Sequence, residues 1–166
     1  IDAAPALREA GVVAVFTGRD IAEAQGSLPC AWPVTEDIVL PDHPALAVDE
    51  VRHTGEAVAV VVARDRASAL DALAAIEVDY DVHQALVSVA DAAKKASGVT
   101  IHAEAPDNQC YKWAIGDKAA VDAAFAGAAH VTKLDLVNNR LVPNAIEPRV
   151  AIGSFSRAND EYVLYV

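Results

Sequence analysis

Five histidines, two cysteines and three short polar strings are the parts of this chain whose residue types could do chemistry. Cys30 and Cys110 stand far apart, with no Cys or His at ligand spacing beside either, so neither a zinc site nor an iron–sulfur cage can be built on them. Two free, reduced thiols are expected. His43 and His53 are ten positions apart and His102 is two from Glu104, and neither spacing puts paired ligands on one helix face. Surface or capping roles are therefore expected for the imidazoles. A serine nucleophile on a strand-to-helix elbow needs Gly-x-Ser-x-Gly, and Gly26-Ser27, Ser97-Gly98 and Gly153-Ser154 all lack it. A phosphate cradle needs closely spaced glycines after a strand, where only Gly18 is found.

The three polar strings sit at the ends of apolar segments. Arg52-His53-Thr54-Gly55-Glu56 precedes a fully apolar run, and a tight turn with Gly55 at positive φ explains it more simply than a contact loop. Trp113-Ala114-Ile115-Gly116-Asp117 leads an indole into a helix start, where a hydrophobic staple is a simpler role than ligand stacking. Asn138-Asn139-Arg140 and Pro143-Asn144-Ala145-Ile146-Glu147-Pro148-Arg149 lie between two expected strands. If Glu147 and Arg149 are buried, they must pair or hydrogen-bond.

The elements that position these strings follow from periodicity. Ala3 to Ala10 suits a helical turn, and Val12 to Thr17, bounded by Gly11 and Gly18, a short buried strand. Leu28 to Leu46 holds four of the eight prolines, so it is a long loop, packed under Trp32 unless it covers a site or an interface. Ala57 to Ala63 is continuous and Val-rich, as in a strand buried on both faces. Asp65 then caps a helix with Ala67, Leu70, Leu73 and Ala74 on one stripe, and Ile76, Val78 and Tyr80 alternate with acids. Strand, helix and strand over Glu56 to Asp81 predict a βαβ unit with parallel strands, although a split arrangement also fits. Ser88 to Ala96 suits one short helix within a linker over 83–115. Asp117 is the expected cap of a helix carrying Val121, Ala124, Phe125 and Ala128 on one face, with strands expected over Val131 to Val142, Arg149 to Phe155 and Glu161 to Val166.

Thirteen basic against 24 acidic side chains give a net charge of −11, which repels phosphate backbones and anionic lipid, so no nucleic-acid partner is expected. At 54% hydrophobic and 22% charged, the chain is no disordered segment, and a length near 150 residues allows about 70% of the unfolded surface to be buried. The longest apolar run, Ala57 to Ala63, is far below the roughly 20 residues of a membrane span. With a pI near 4.7 and no signal-peptide pattern, the chain is read as soluble and cytoplasmic. It begins at Ile1, contains no Met and ends on Tyr162 to Val166 as if in mid-sheet, so it is read as part of a longer polypeptide.

In order along the chain, Gly11-Val-Val-Ala-Val-Phe-Thr-Gly-Arg-Asp20, Arg52-His-Thr-Gly-Glu-Ala-Val-Ala-Val-Val-Val-Ala63, Val78-Asp-Tyr80, Trp113-Ala-Ile-Gly-Asp117 and Ile146-Glu-Pro-Arg149 resemble the large, molybdenum-binding subunit of the xanthine dehydrogenase, aldehyde oxidase and aerobic carbon monoxide dehydrogenase family. The resemblance spans nearly the whole chain. It implies an α+β fold: an α/β hammerhead domain over 1–82, lacking its N-terminal segment, then the opening helix and strands of a molybdopterin-binding domain over 116–166. It also implies hydroxylation of an aldehyde, N-heterocycle or similar small substrate with water as oxygen source, at an oxo-molybdenum centre whose electrons leave through iron–sulfur clusters to flavin. In the carbon monoxide branch the gas is oxidised at a copper–molybdenum site, on a cysteine in a later loop absent from this chain.

The cofactor implied is molybdopterin, in its cytosine dinucleotide form. The partners implied are the remainder of the large subunit, iron–sulfur and flavin subunits or domains, and a second copy of the whole complex. The family's glutamine near the metal, its Gly-rich loop and its glutamate base fall beyond the match to Val166. No catalytic, cofactor-binding or metal residue is therefore carried onto this chain. Glu147 and Arg149 count only as motif positions near the domain core. Alone, the 166 residues are expected to bind no cofactor and to be inactive. The alternative is a stand-alone hammerhead-like interaction or scaffold module without catalysis, which an open reading frame ending at Val166 would favour.

Overall fold

The computed structural model describes residues 1–94, 98–139, 141 and 145–166. It is mixed α+β and divides into two compact units, Ile1–Gly116 and Asp117–Val166.

The first unit opens with a single helical turn, α1 (Ala4–Leu7), started by Pro5, whose fixed φ suits the first turn. The β-branched run Val12–Thr17 forms β1 and Ala59–Ala63 forms β2. They pair antiparallel, Phe16 opposite Val60 and Val12 opposite Ala63, with a bulge between Val12 and Ala14. Helix α2 (Arg66–Ala75) follows, and the Asp65 carboxylate caps it by accepting from Ser68 N at 2.9 Å. Both α1 and α2 pack on one side of the hairpin, and the core there is Ala6 and Ala72, each fully buried. Helix α3 is one turn, Val89–Ala92, capped by the Ser88 hydroxyl.

Three expectations are corrected here. The βαβ unit is not parallel. One hydrogen-bonding edge of β2 is taken by β1, antiparallel, and after α2 the alternating residues 76–80 form no strand to take the other; only Glu77 bridges, antiparallel, to Asp2. Alternation alone does not make a strand when its backbone groups find no continuous partner. Nor is β2 buried on both faces. Helices cover one side only, and Val60 and Val62 are 43% and 42% exposed on the other. Finally, the loop 28–46 is not packed under Trp32, which is 81% exposed; the loop is tied down by its backbone, Leu28 N donating to His43 O and Val39 N to Cys110 O.

The second unit begins with α4 (Lys118–Gly127), capped as expected by Asp117, which accepts from Ala120 N at 3.0 Å, and braced by a Lys118–Asp122 ion pair. Strands β3 (Ile152–Ser156) and β4 (Glu161–Tyr165) form a hairpin in which the opposed rings of Phe155 and Tyr162 lie 4.5 Å apart. The strand expected over Val131 to Val142 is absent across 131–139, while Arg140 and Val142, like Ala96 at the end of the expected α3, lie outside the described residues. Of the described residues in this unit only Ser156 is not exposed.

Few apolar side chains are buried among the described residues: only Ala6, Leu46, Ala47, Ala72 and Ala105. The physical reason is geometric. Each hairpin and helix offers an apolar face, and Val13, Phe16, Val121, Phe125, Leu164 and Tyr165 have nothing across from them that buries them.

Candidate functional site

The richest cluster of polar side chains is the turn entering β2. Gly55 has φ +92°, which confirms the tight turn. That turn folds Glu56 back so that its carboxylate accepts from Arg52 N at 2.5 Å, and the Glu56 side chain is only 8% exposed. His53 Nδ1 is 3.6 Å from the same oxygen, an ion pair when the imidazole is protonated. The Arg52 guanidinium then reaches two ways: Nη2 donates to Glu50 Oε2 at 3.1 Å, and Nε donates to Ile101 O, also at 3.1 Å. His83 Nδ1 approaches the other Glu50 oxygen at 3.6 Å.

Around this turn lies an open cleft of about 330 Å³ whose walls include Asp42, Glu50, Arg52, His102 and Glu104. His102 and Glu104 thus line the same cleft as Arg52, although about fifty residues separate them in sequence. His43 and His53, distant by spacing, stack with ring centroids 5.7 Å apart. Gln25, at the cleft's edge, holds Leu46 by both ends of its amide: Nε2 donates to Leu46 O and Oε1 accepts from Leu46 N, each at 3.0 Å. Neither the stack nor this clamp was legible in the sequence, because each joins residues whose separation is set by the proline-rich loop.

Among the described residues, two carboxylates titrate away from their ordinary value, Asp20 in a turn and Asp65 at the cap of α2. Asp20 is lowered because Thr17 donates both its backbone N–H and its hydroxyl to the carboxylate, each at 2.7 Å. Asp65 is lowered because Ser68 donates in the same two ways. Both carboxylates are solvent-exposed and support turns rather than proton transfer. Among the described residues no three of His, Cys, Asp and Glu converge as a group that could hold a metal ion.

The remaining singled-out residues are scattered. Cys30 is exposed and Cys110 half-buried, and both are free thiols. Trp113 is 59% exposed and so is no buried anchor. Asn138, Asn139, Glu147 and Arg149 are exposed, so the pairing that burial would force on Glu147 and Arg149 does not arise, and neither lies in a core. Arg140, Pro143 and Asn144 lie outside the described residues. Sequence reasoning missed Asn108, which adopts φ +54° and closes a loop; the turn-forming run Pro106-Asp107-Asn108 was the signal available for it. No helix among the described residues is long and apolar enough to cross a membrane.

Comparison with known proteins supplies the context that geometry alone does not. Residues 1–84 match the family described as aldehyde oxidase and xanthine dehydrogenase, a/b hammerhead domain, and residues 101–166 match the molybdopterin cofactor-binding domain. The carbon monoxide dehydrogenase large chain of Hydrogenophaga pseudoflava is 31% identical over 97% of this chain and 21% of its own length. That of Afipia carboxidovorans is 29% identical over 99% of this chain and 21% of its own. The nicotine 6-hydroxylase large subunit of Paenarthrobacter nicotinovorans is 31% identical over 100% of this chain and 20% of its own. The chain therefore spans about a fifth of the length of these relatives. No solved structure gives a significant match. With a hammerhead match over residues 1–84, half its length, and a cofactor-domain match over residues 101–166, the chain belongs to the aldehyde oxidase and xanthine dehydrogenase family of molybdenum hydroxylase large subunits.

Proposed function

We propose that this chain supplies the hammerhead domain (1–82), a connecting stretch (83–115) and the opening of the molybdopterin-binding domain (116–166) to the large subunit of a molybdenum hydroxylase. The subunit would hydroxylate an aldehyde, an N-heterocycle or a similar small substrate, or oxidise carbon monoxide, taking oxygen from water. The observation that carries this reading is the two family matches in series over nearly the whole chain, in the order resembled by its motifs.

In this reading the chain is scaffold. Its exposed apolar faces are the surfaces on which the rest of the large subunit packs, and no residue of the 166 is assigned to catalysis, cofactor or metal. The molybdopterin is the cytosine dinucleotide form, the electron acceptors are iron–sulfur and flavin subunits, the assembled complex is a dimer of such sets, and it works in the cytoplasm. The test is turnover of the complete subunit with its redox partners in ¹⁸O-labelled water, against a panel of aldehydes and N-heterocycles, with carbon monoxide as a separate substrate. Label in a hydroxylated N-heterocycle, or turnover of an aldehyde or of carbon monoxide, supports the reading. Turnover of none of these by a protein carrying molybdenum contradicts it.

A further inference from the structure

Residues 99–110 contain neither helix nor strand, yet they are held more firmly than their secondary structure suggests. The Asn108 side chain closes them into a loop, Oδ1 accepting from Ile101 N at 2.9 Å and Nδ2 donating to Val99 O at 2.7 Å. Asn108 N donates to Ala105 O at 2.8 Å and the Thr100 hydroxyl to Pro106 O at 3.1 Å. The closed loop is then fastened from outside: Arg52 Nε donates to Ile101 O, Val39 N donates to Cys110 O at 2.8 Å, and Ala105 is 4% exposed. Arg52 is itself braced, since its backbone N–H is bound by Glu56 and its guanidinium by Glu50. A planar guanidinium held by a carboxylate presents its Nε–H in a fixed direction.

The cofactor-domain match starts at residue 101, inside this loop, although residues through Gly116 belong to the first compact unit. We infer that Arg52 and Asn108 form a clasp that fixes where the chain leaves the hammerhead unit on its way into the molybdopterin-binding region, which makes both of them positioning residues for that region. The existence of the clasp stands on the hydrogen bonds alone; its effect on the cofactor rests on the function proposed above.

The test uses the longest polypeptide that carries this chain, as wild type, Arg52→Met, Arg52→Lys and Asn108→Gly. Met keeps the apolar stem and removes the donors, and Gly keeps the positive φ of residue 108 while removing its amide. Hydrogen exchange at the Ile101 amide and alkylation of Cys110 should each accelerate about tenfold in Arg52→Met and in Asn108→Gly, the loss expected for a net hydrogen bond. Arg52→Lys, which keeps a cationic donor group but loses the planar fork, should fall between. Cys30, already exposed, and the amides of β1 and β2 should be unchanged, and a loosened fold would move both. Because losing Arg52 also unpairs Glu50, Asn108→Gly reports the loop alone. Unchanged Ile101 exchange and Cys110 alkylation in Asn108→Gly would overturn the clasp. With exchange accelerated, molybdenum per chain should drop at least threefold in both variants, and undiminished molybdenum would overturn the positioning role. A wild type that takes up no molybdenum would overturn the proposed function and leave the clasp standing.

Discussion

Replacing Gly18 by Ala should damage the first unit through backbone contact alone. A Cβ built there lies 2.0 Å from Ala47 O and 2.5 Å from Ala47 C, whereas real Cβ atoms keep at least 3.0 Å. The segment 46–48 would have to retreat by about 1 Å. That retreat stretches three hydrogen bonds: Ala47 N to Ala57 O at 2.8 Å and the two Gln25–Leu46 bonds at 3.0 Å. At about 1 kcal/mol net for each, the substitution should cost about 3 kcal/mol. The expected magnitude lies at the upper end of ordinary overpacking and corresponds to a Tm lower by about 10 °C. Urea unfolding followed by fluorescence of the two tryptophans measures it, with Gly26→Ala as control, since nothing lies within 4 Å of a Cβ at Gly26. The control should shift stability by under about 0.5 kcal/mol. A Gly18→Ala protein within about 1 kcal/mol of wild type would refute the reasoning and show that the 46–48 segment yields freely.

Further outcomes are expected elsewhere. Asp20→Ala and Asp65→Ala should each destabilise the chain at neutral pH. Because both native carboxylates titrate below their ordinary value of 3.8, that stabilisation is complete above it and is lost as pH falls through the lowered native value. Wild-type and variant unfolding curves should therefore converge at strongly acidic pH, and a gap that widens with acid would contradict the assignment. Thiol titration under denaturing, non-reducing conditions should count two free cysteines, Cys30 and Cys110; a count of zero with a mass two protons lighter would contradict this. Alanine at Phe155 and at Tyr162 should show a coupling of about 0.5–1 kcal/mol in a double-mutant cycle, as for an aromatic cross-strand pair, and additive effects would exclude it.

What could be read from the sequence was local. Asp65 and Asp117 announce α2 and α4 because an N-cap needs only a carboxylate and the amides of the next turn. Gly55 announced its turn for the same reason. Strand direction was not local: β2 pairs with β1 across more than forty residues, and nothing in Ala59–Ala63 says which strand will take its edge. The alternating residues of 76–80 and 131–136 read as strands from side-chain pattern, but the pattern describes faces and not the backbone partners a strand requires. The clasp was illegible for a related reason. Arg52 meets Ile101 across 49 positions through a main-chain carbonyl, a group that every residue carries and no sequence pattern marks.

We propose that the groups holding the molybdopterin lie outside these 166 residues, in the remainder of the large subunit. Elemental analysis of the 166-residue chain and of the longest polypeptide that carries it, both produced in a host that makes the cofactor, measures this. About one molybdenum per longer polypeptide and none in the short chain are expected. Stoichiometric molybdenum in the short chain would contradict the placement of the cofactor groups, and a well-folded longer polypeptide without molybdenum would contradict the proposed function.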